Sequence, residues 1–517
     1  MLPVKSLLIG DTSSNSCEAL VVIPSILKKV AQTYGSSAAY VTADGEAVTY
    51  KQLDHYSEEV AAWMRIEGVQ EGSVVALCLP SRIEYILSYL AVAKLGAVTA
   101  GVNPRFTGDE RKNILKLLRP DLVLTAHDCD QGIQDEWHVE YVHFAEQMTD
   151  LMIENRRNDP AIDVLPTDPD RPVCICFTSG STGDPKGAWF KNRQLQAISD
   201  LDTGGAWGGS GHRYASTEFA HVGVMTKLPW LLASGGTTHL LDKWRAESIL
   251  RLIHDYRIPA VSAIAPQVAL MLRVENLSRF DFSCVQAIVT GGASASPDLV
   301  AAGREIFGAP WSIRYSSTES GGVGLGTALD ADKEEALHTV GRPRQGVKAS
   351  IRNNEGQLVP DGEIGEIWMR SNAVMSGYWN DENSTDEVIV NGWLRTGDLA
   401  IVDDSGCFRL AGRIKEMFIR GGYNVFPLEV ETIISKHKQV SEVVVVPRED
   451  EVMGEIGVAV VVPSDPKSPP TLESIQSHAK NSLASYKVPE AIRIVSMLPR
   501  NSSDKIDRRQ IQRREER

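Results

Sequence analysis

Residues 177–190 read FTSGSTGDPKGAWF and follow the apolar run VCICF. The stretch holds four Ser or Thr hydroxyls, three glycines and one lysine. Backbone N–H groups in a Gly-rich turn converge on an anion, and Lys186 adds a charge-assisted contact. Because open α/β sheets bind ligands in the loops that follow their strands, the stretch predicts a phosphate-binding loop. It differs from the Walker pattern, since Gly187 rather than Ser or Thr follows Lys186. The alternative is a plain surface loop.

Composition limits the function classes. A chain of 517 residues is too long for one core and predicts about two to four domains. The net charge of −14 argues against a nucleic-acid binder with a broad basic surface. The most apolar stretch, YILSYLAVAKLGAVTAGV, carries Lys94 and glycine breaks, so no transmembrane segment is predicted. The N-terminus is a poor secretory signal, and seven cysteines without metal-type spacing fit a reducing compartment. We therefore expect a soluble, cytoplasmic protein.

The spacing of apolar residues along the chain predicts the fold class. Val/Ile/Leu-rich runs alternate with amphipathic segments through the first three-quarters of the chain, which predicts mostly parallel sheets covered by helices. From about residue 340, short apolar runs are separated by residues typical of turns, a pattern that predicts antiparallel strands. We predict an α/β protein with a large N-terminal domain over residues 1–414 that includes a small antiparallel β subdomain at about 340–412. A mobile α+β C-terminal domain is expected over residues 415–517.

Two further loops follow predicted strands. GGASAS spans residues 291–296 and YSSTESGG spans residues 315–322. If the strands are parallel neighbours, these loops and the loop at 177–190 open at one sheet edge and form a single crevice. Tyr315 can stack on a base, and Glu319 can hold Mg²⁺. Taken singly, a core tyrosine and a solvated turn glutamate are the alternatives.

An acidic residue lies in a fourth predicted turn. Asp398, in LRTGDLA, can accept hydrogen bonds from both hydroxyls of a ribose. The alternative for Asp398 is an ordinary turn aspartate.

Eight motifs occur in one order along nearly the whole chain: FTSGSTGDPKGA, FAHVGVM, GGASAS, YSSTES, GEIGEIWMRS, WLRTGDLA, GRIKEMFIRGGYNVFPLEVE and LPRNSSDKIDRR. In this order they resemble the adenylate-forming superfamily of acyl-CoA synthetases, luciferases and peptide-synthetase adenylation domains. The resemblance implies a large N-terminal domain and a mobile C-terminal domain. It also implies a reaction in which a carboxylate attacks the α-phosphate of Mg-ATP to give acyl-adenylate and pyrophosphate. The C-terminal domain then moves, and a thiol attacks the adenylate.

The resemblance assigns roles to residues of the predicted N-terminal domain. The triphosphate loop would consist of Thr178, Ser179, Gly180, Ser181, Thr182, Gly183 and Lys186. The adenine pocket would be formed by Gly291, Gly292, Ala293, Tyr315 and Ser316. Thr318 would contact the α-phosphate, and Glu319 would bind Mg²⁺. His221 matches the position beside the substrate carboxylate.

Further roles fall near the predicted domain junction and beyond it. Asp398 would bind the ribose, and Arg413 the ribose or the phosphate side. Lys415 matches the hinge residue, and Lys505 matches the lysine that bridges carboxylate and phosphate during adenylation. The loop that borders the pantetheine tunnel of coenzyme A would contain Gly421, Gly422 and Tyr423. The implied cofactors are ATP, Mg²⁺ and coenzyme A.

Two residues depart from the pattern of the superfamily. Ser316 and Asp504 each stand where a glycine is usual. A side chain at Ser316 can narrow or redirect the acyl pocket, and Asp504 places a negative charge beside Lys505. We expect Asp504 to slow adenylation or to change the order of its loop, so that Asp504→Gly raises the adenylation rate.

The leading hypothesis is a carboxylic acid–CoA ligase of the acyl-CoA synthetase branch. One alternative is an acyl-AMP ligase that loads a separate carrier protein, and another is a degenerate nucleotide-binding protein. A serine hydrolase is disfavoured because no G-x-S-x-G motif occurs. The acid pocket is expected to draw on Trp230, Gly321, Gly322 and the SAIAPQ segment, and the low charge around HVGVMTKLPWLLASGG suggests an apolar acid. Monomer and homodimer both remain open.

Overall fold

The computed structural model describes residues 22–126, 136–142, 156–157, 162–178, 185–206, 211–292, 295–501 and 505–515. These residues belong to two compact units. The first contains most of the chain up to Lys348 together with Met369–Leu394, and the second contains Ala349–Trp368 and Arg395–Arg517. The chain passes between the units at residues 348–349, 368–369 and 394–395. The predicted domain boundary at residue 415 stays a prediction.

The strands are short and are distributed over the whole described chain. They are β1 (Ala38–Val41), β2 (Ala47–Thr49), β3 (Val74–Cys78), β4 (Val98–Gly101), β5 (Leu122–Thr125), β6 (Val139–Tyr141), β7 (Pro172–Phe177), β8 (Gly187–Lys191), β9 (His212–Tyr214), β10 (Thr237–His239), β11 (Ala260–Ala263), β12 (Ala287–Gly291), β13 (Trp311–Tyr315), β14 (Leu325–Gly326), β15 (Arg342–Pro343), β16 (Lys348–Arg352), β17 (Gly365–Arg370), β18 (Gly377–Tyr378), β19 (Ile389–Val390), β20 (Trp393–Val402), β21 (Phe408–Arg413), β22 (Phe418–Arg420), β23 (Tyr423–Val425), β24 (Val440–Asp450), β25 (Gly454–Pro463) and β26 (Ala491–Ile494).

The helices alternate with these strands. They are α1 (Ile23–Thr33), α2 (Tyr50–Ile66), α3 (Ile83–Lys94), α4 (Gly108–Leu118), α5 (Asn192–Thr203), α6 (Val222–Met225), α7 (Leu228–Ala233), α8 (Ala246–Tyr256), α9 (Ala265–Leu272), α10 (Pro297–Phe307), α11 (Lys333–His338), α12 (Glu382–Val388), α13 (Pro427–Ile434), α14 (Leu472–Lys480) and α15 (Arg508–Glu515). Among the described residues, none of the helices combines the length and the apolar character that crossing a bilayer requires.

The largest sheet of the first unit is mostly parallel. Its strand order is β18-β8-β7-β4-β3-β5-β6. Strands β3 to β7 pair in parallel, whereas β8 is antiparallel to β7 and β18 is antiparallel to β8. A second sheet has the order β11-β12-β13-β14-β15, in which β11, β12 and β13 are parallel. A smaller sheet has the order β2-β1-β10-β9.

Strand β3 shows why helices cover both faces of the largest sheet. All five residues of β3 are buried, and successive side chains point to opposite faces. Val75 and Leu77 belong to the core that also contains apolar residues of α2 and α3. Val74 and Ala76 belong to a second core that contains residues of α4. The predicted α/β class with helix-covered, mostly parallel sheets is therefore confirmed.

Local sequence signals start several helices. Thr49 accepts a hydrogen bond from the backbone N–H of Gln52, whose side chain accepts in return from the backbone of Thr49, so α2 begins with a capping box. The hydroxyl of Ser296 accepts from the backbone N–H of Leu299 and so caps α10, and Pro297 occupies the first helical position. These caps satisfy backbone donors that have no partner inside the helix.

The second unit is an α+β arrangement around its own core. Strands β24 and β25 form a long antiparallel hairpin, β26 pairs in parallel with β25, and β22 connects β25 to β23. Val430 and Ile434 of α13 pack with Ile475 of α14 against valines of β24 and β25. Strands β20 and β21 pair antiparallel, and β20 also neighbours β17 in the same sheet.

Candidate functional site

Residues 178–186 connect the antiparallel strands β7 and β8. The backbone N–H of Thr178 donates to the carbonyl of Lys186 at 2.9 Å, and the N–H of Lys186 donates to Oγ1 of Thr178 at 3.3 Å. These bonds extend the pairing of β7 and β8 and close the base of the loop. The other predicted residues of the triphosphate loop lie outside the described residues: Ser179, Gly180, Ser181, Thr182 and Gly183.

Lys186 is held by a hydroxyl and by an aromatic ring. Its Nζ donates to Oγ of Ser384 at 2.6 Å and lies 5.1 Å from the centroid of the Tyr378 ring. Ser384 is fixed in turn, because its backbone N–H donates to Oδ1 of Asp381, the N-cap of α12. The ammonium is therefore oriented by contacts that leave its charge intact, as phosphate binding requires.

Glu319 is joined to the same tyrosine. The hydroxyl of Tyr378 donates to Oε1 of Glu319 at 2.8 Å, and the N–H of Met375 donates to the carbonyl of Glu319 at 2.8 Å. Burial raises the pKa of Tyr378 well above its usual value, and the Glu319 carboxylate raises it further. The tyrosine therefore stays protonated and donates to the carboxylate.

The loops after β12 and β13 leave the same sheet edge. Gly291 is paired with Arg314 across the two parallel strands, so Gly291 and Tyr315 lie at neighbouring carboxyl ends. A Cβ on Gly291 would stand 2.8 Å from the Arg314 carbonyl oxygen, which is closer than van der Waals contact permits. Gly292 has φ +74°, in the left-handed region that favours glycine. Ala293 lies outside the described residues.

We expected all three loops to lie at one sheet edge, and this prediction is wrong for the loop that follows β7. Strands β12 and β13 are parallel neighbours, as expected, but β7 belongs to the other sheet. The loop at 315–322 nevertheless contacts the β7 sheet, because Glu319 binds Tyr378 of β18. The three loops therefore follow strands of two different sheets, and a side-chain hydrogen bond between Glu319 and Tyr378 connects these sheets.

The loop at 315–322 is stabilised by hydrogen bonds between its own residues. The N–H of Ser317 donates to Oγ of Ser320, and the N–H of Ser320 donates to Oγ of Ser317. The N–H of Gly321 donates to the carbonyl of Thr318 at 3.0 Å. Thr318 and Glu319 are therefore carried on a preformed turn. The residues from Tyr315 to Glu319, including Ser316, are all half-buried.

His221 lies at the start of α6, next to the end of β4. Its Nε2 is 3.3 Å from Nδ2 of Asn103, a residue that is 2% exposed. Oδ1 of Asn103 accepts from the backbone N–H of Arg105, which orients the amide so that Nδ2 is the donor. His221 therefore accepts at Nε2 and carries its proton on Nδ1 when neutral.

In the second unit, Asp398 and Arg413 form an ion pair. They face each other across β20 and β21, and Nε of Arg413 lies 2.7 Å from Oδ1 of Asp398. Asp398 is buried, whereas the Arg413 side chain is half exposed. The preceding Gly397 has φ +72°, and its N–H donates to the buried Glu366 carboxylate at 3.0 Å. This hydrogen bond to Glu366 therefore stabilises the turn that contains Asp398.

The remaining predicted residues of the second unit lie in exposed segments. Lys415 is exposed shortly after β21, and Gly421 and Gly422, both with positive φ, form the turn between β22 and β23. The ring of Tyr423 stacks on Tyr486 with centroids 4.6 Å apart.

Lys505 is exposed in a separate loop of the second unit. Its carbonyl accepts from the N–H of Asn501 at 2.8 Å, and its N–H donates to Oδ1 of Asn501 at 3.1 Å. Asp504 lies outside the described residues.

Comparison with known families identifies the chain. Residues 27–379 match the AMP-binding enzyme model, and residues 429–505 match the model of the AMP-binding enzyme C-terminal domain. The chain belongs to the AMP-binding enzyme family. The predicted adenylate-forming superfamily is thereby confirmed.

Relatives of this AMP-binding enzyme match over most of both chains. A fatty acid–[acyl-carrier-protein] ligase of Streptomyces coeruleorubidus is 29% identical over 485 residues, covering 92% of this chain and 93% of the relative. An indoleacetate–CoA ligase of Aromatoleum aromaticum is 29% identical over 489 residues, covering 89% and 91%. The structure of an o-succinylbenzoate CoA synthetase from Bacillus subtilis with an acyl-adenylate intermediate matches with a TM-score of 0.83 and 25% identity, covering 94% and 97%.

Sequence reasoning on this AMP-binding enzyme missed Tyr378, Ser384 and Asn103. Tyr378 lies in the quoted stretch PDGEIGEIWMRSNAVMSGYWND, which served only to distinguish branches of the superfamily. Its role depends on the pairing of β18 with β8, which places its ring beside Lys186. No local sequence pattern predicts this strand pairing, because β18 has only two residues.

Proposed function

We propose that this enzyme activates a carboxylic acid with ATP to an acyl-adenylate and transfers the acyl group to the thiol of coenzyme A. The observation that carries the proposal is the connected set of Lys186, Tyr378 and Glu319, which holds a cation and a carboxylate on one phenol ring. Membership of the AMP-binding enzyme family supports the same reaction class. Two relatives are, by name, a fatty acid–[acyl-carrier-protein] ligase and an indoleacetate–CoA ligase.

The residues in place fit ATP and Mg²⁺. Lys186 offers a positive charge at the base of a Gly-rich loop, and Glu319 offers the carboxylate oxygen that Mg²⁺ prefers. When bound, Mg²⁺ would neutralise charge on the triphosphate. The proposed triphosphate-binding residues are Thr178, Ser179, Gly180, Ser181, Thr182, Gly183 and Lys186, and the proposed adenine-binding residues are Gly291, Gly292, Ala293, Tyr315 and Ser316.

The other proposed roles follow the chemistry of the side chains. Thr318 would bind the α-phosphate, and Asp398 with Arg413 would bind the ribose side of the nucleotide. His221, oriented by Asn103, would lie beside the substrate carboxylate. Lys505 would stabilise the charge that develops when the carboxylate attacks phosphorus.

The proposal for the second half-reaction concerns the predicted mobile C-terminal domain. Lys415 would act as its hinge, and the exposed loop with Gly421, Gly422 and Tyr423 would border the pantetheine arm of coenzyme A. A mobile domain allows one cleft to serve both half-reactions. We expect the enzyme to work in the cytoplasm.

Exchange of labelled pyrophosphate into ATP, measured over a panel of carboxylic acids, tests the first half-reaction. Mass detection of products with and without coenzyme A then tests the second. We expect acid-dependent exchange without coenzyme A, and a CoA thioester when it is present. Absence of exchange with every acid, under conditions where ATP binds, would contradict the proposal.

A second candidate is an acyl-AMP ligase that loads a carrier protein, which the Streptomyces relative favours. Under this alternative, adenylate would form but would be transferred to the phosphopantetheine of an acyl carrier protein and not to free coenzyme A. The same mass measurement with an added holo-carrier protein separates the two.

A further inference from the structure

An imidazole and two carboxylates converge at the β6 edge of the largest sheet. Nε2 of His138 lies 3.6 Å from Oε2 of Glu67 and 3.5 Å from Oε1 of Glu140. One ligand atom from each of the three side chains lies within 4.8 Å of the other two. The side chains of His138, Glu67 and Glu140 are 43%, 25% and 35% exposed, so an ion from solvent can reach all three.

The fold brings these three residues together from a helix end and an edge strand. His138 and Glu140 stand on either side of Val139, the first residue of β6, and alternate residues of a strand share a face. The N–H of Val123 in β5 donates to the carbonyl of His138 at 2.9 Å, which fixes this backbone against the sheet. Glu67 is the C-cap residue of α2. The three side chains therefore meet through tertiary packing.

The distances fit metal ligands better than hydrogen-bond partners. An N–H···O hydrogen bond joins atoms about 2.7–3.2 Å apart, and both His138 distances are longer. Tetrahedral Zn²⁺, with bonds of about 2.0–2.2 Å, holds neighbouring ligand atoms about 3.3–3.6 Å apart. Octahedral coordination at about 2.1 Å would need about 3 Å. Both distances from Nε2 therefore match edges of a tetrahedron.

The charges at this position also favour a cation. Across the described ranges, neither Glu67 nor Glu140 forms an ion pair with a lysine or an arginine, and His138 is their shared partner. Two neighbouring carboxylates repel each other, and a neutral imidazole does not offset their charge. A divalent cation bound between them would offset both charges.

We propose that Glu67, His138 and Glu140 bind a Zn²⁺ ion, with water in the fourth position. The imidazole nitrogen favours zinc over Ca²⁺ and Mg²⁺, which prefer oxygen ligands. The ion would connect the end of α2 to β6 and stabilise this part of the first unit. Strand β6 is at the opposite edge of the sheet from β18, which contains Tyr378, so the zinc site is separate from the proposed Mg²⁺ ligand Glu319. The competing interpretation is a protonated imidazole paired with two carboxylates.

Two other histidine–glutamate pairs provide matched controls. His55 lies 3.4 Å from Glu59 one turn later in α2, and Glu59 also pairs with Arg156 at 3.3 Å. His338 lies 3.9 Å from Glu334 in α11. Each histidine has one carboxylate partner in these pairs, so neither pair offers the three ligands of the proposed site.

Calorimetric titration of the full chain with zinc chloride, after removal of metal by a chelator, tests the site. We expect the wild type to bind zinc and His138→Gln to lose this binding. Glu67→Gln and Glu140→Gln should each weaken it by at least roughly tenfold, the cost of losing even an outer contact to a ligand. His55→Gln and His338→Gln should bind as the wild type does. Wild-type protein that binds no zinc, or equal binding in all three ligand variants, would overturn the inference.

Cobalt substitution tests the geometry, and thermal unfolding tests the structural role. Tetrahedral Co²⁺ absorbs visible light intensely and octahedral Co²⁺ weakly, so the wild type should give the intense spectrum and His138→Gln should not. Zinc should raise the unfolding temperature of the wild type and not that of His138→Gln. Unfolding without metal shows whether each variant is folded. A folded His138→Gln that is less stable than a zinc-insensitive wild type would mean that the three side chains form ion pairs only.

Discussion

The hydroxyl of Tyr378 donates a 2.8 Å hydrogen bond to Glu319, a residue 59 positions earlier in the chain. The same ring lies 5.1 Å from the Lys186 ammonium. One phenol therefore positions both a carboxylate suited to Mg²⁺ and a cation suited to phosphate. The bond also joins the loop after β13 to the sheet that contains β7.

Tyr378→Phe tests this link by removing only the hydroxyl. We expect acid-dependent pyrophosphate exchange to fall roughly tenfold and to need more Mg²⁺, because Glu319 loses its hydrogen-bond donor. Stability should fall by about 1 kcal/mol. Exchange rates measured against Mg²⁺ concentration check the prediction, with Tyr34→Phe as the control. Unchanged Mg²⁺ dependence would show that the hydroxyl does not position the carboxylate.

Lys186→Met should raise the KM for ATP by roughly tenfold, since the proposed charge-assisted contact to phosphate is lost. Lys191→Met is a matched control, because Nζ of Lys191 also lies over an aromatic ring, 5.4 Å from the centroid of Trp189, and binds Asp170 instead. Initial rates at varied ATP distinguish the two variants. Equal effects from both would argue against a special role for Lys186.

Part of this site could be predicted from the sequence, and part could not. The run PVCICF predicts a buried strand by its continuous apolar character, and β7 occupies these residues. Such a run contains no information on its neighbours, so the placement of β7 and β12 in different sheets could not be predicted. Tyr378 was missed for the same reason, since its function arises from strand pairing and not from a local motif.

A buried ion cluster, in which Lys227 and Arg344 share the carboxylate of Asp202, shows a second limit. Lys227 and Arg344 lie 25 and 142 positions after Asp202 in the sequence. Residues at such separations form a cluster only through tertiary packing.

His239 predicts a pH dependence of stability. Burial, with His212 nearby, lowers its pKa from 6.5 to about 4, and its Nε2 lies 2.9 Å from Nδ1 of His212. The unfolded state therefore binds more protons between these values, so stability is complete above pH 6.5 and is lost as the pH falls toward about 4. The loss should be on the order of 3 kcal/mol.

Denaturant unfolding of wild type and His239→Gln across this pH range isolates the contribution of His239. We expect the variant to show a shallower dependence of unfolding free energy on pH. His55→Gln, at an exposed histidine, serves as the control. Parallel curves for wild type and His239→Gln would contradict the assignment.

Lys505→Ala separates the two proposed half-reactions. The loop around Lys505 is closed by backbone contacts with Asn501, which alanine can also make, so the loop should keep its form. Acyl-adenylate formation should fall at least roughly a hundredfold, because the proposed stabilisation of the attacked phosphate by the Lys505 ammonium is lost. Conversion of supplied acyl-adenylate to the CoA thioester should continue, since the thiol step does not need this ammonium. Quench-flow measurement of each step checks the prediction, and Lys480→Ala is the control. An equal loss of rate in both steps would contradict it, because Lys505 would then support the folded loop and not the chemistry of adenylation.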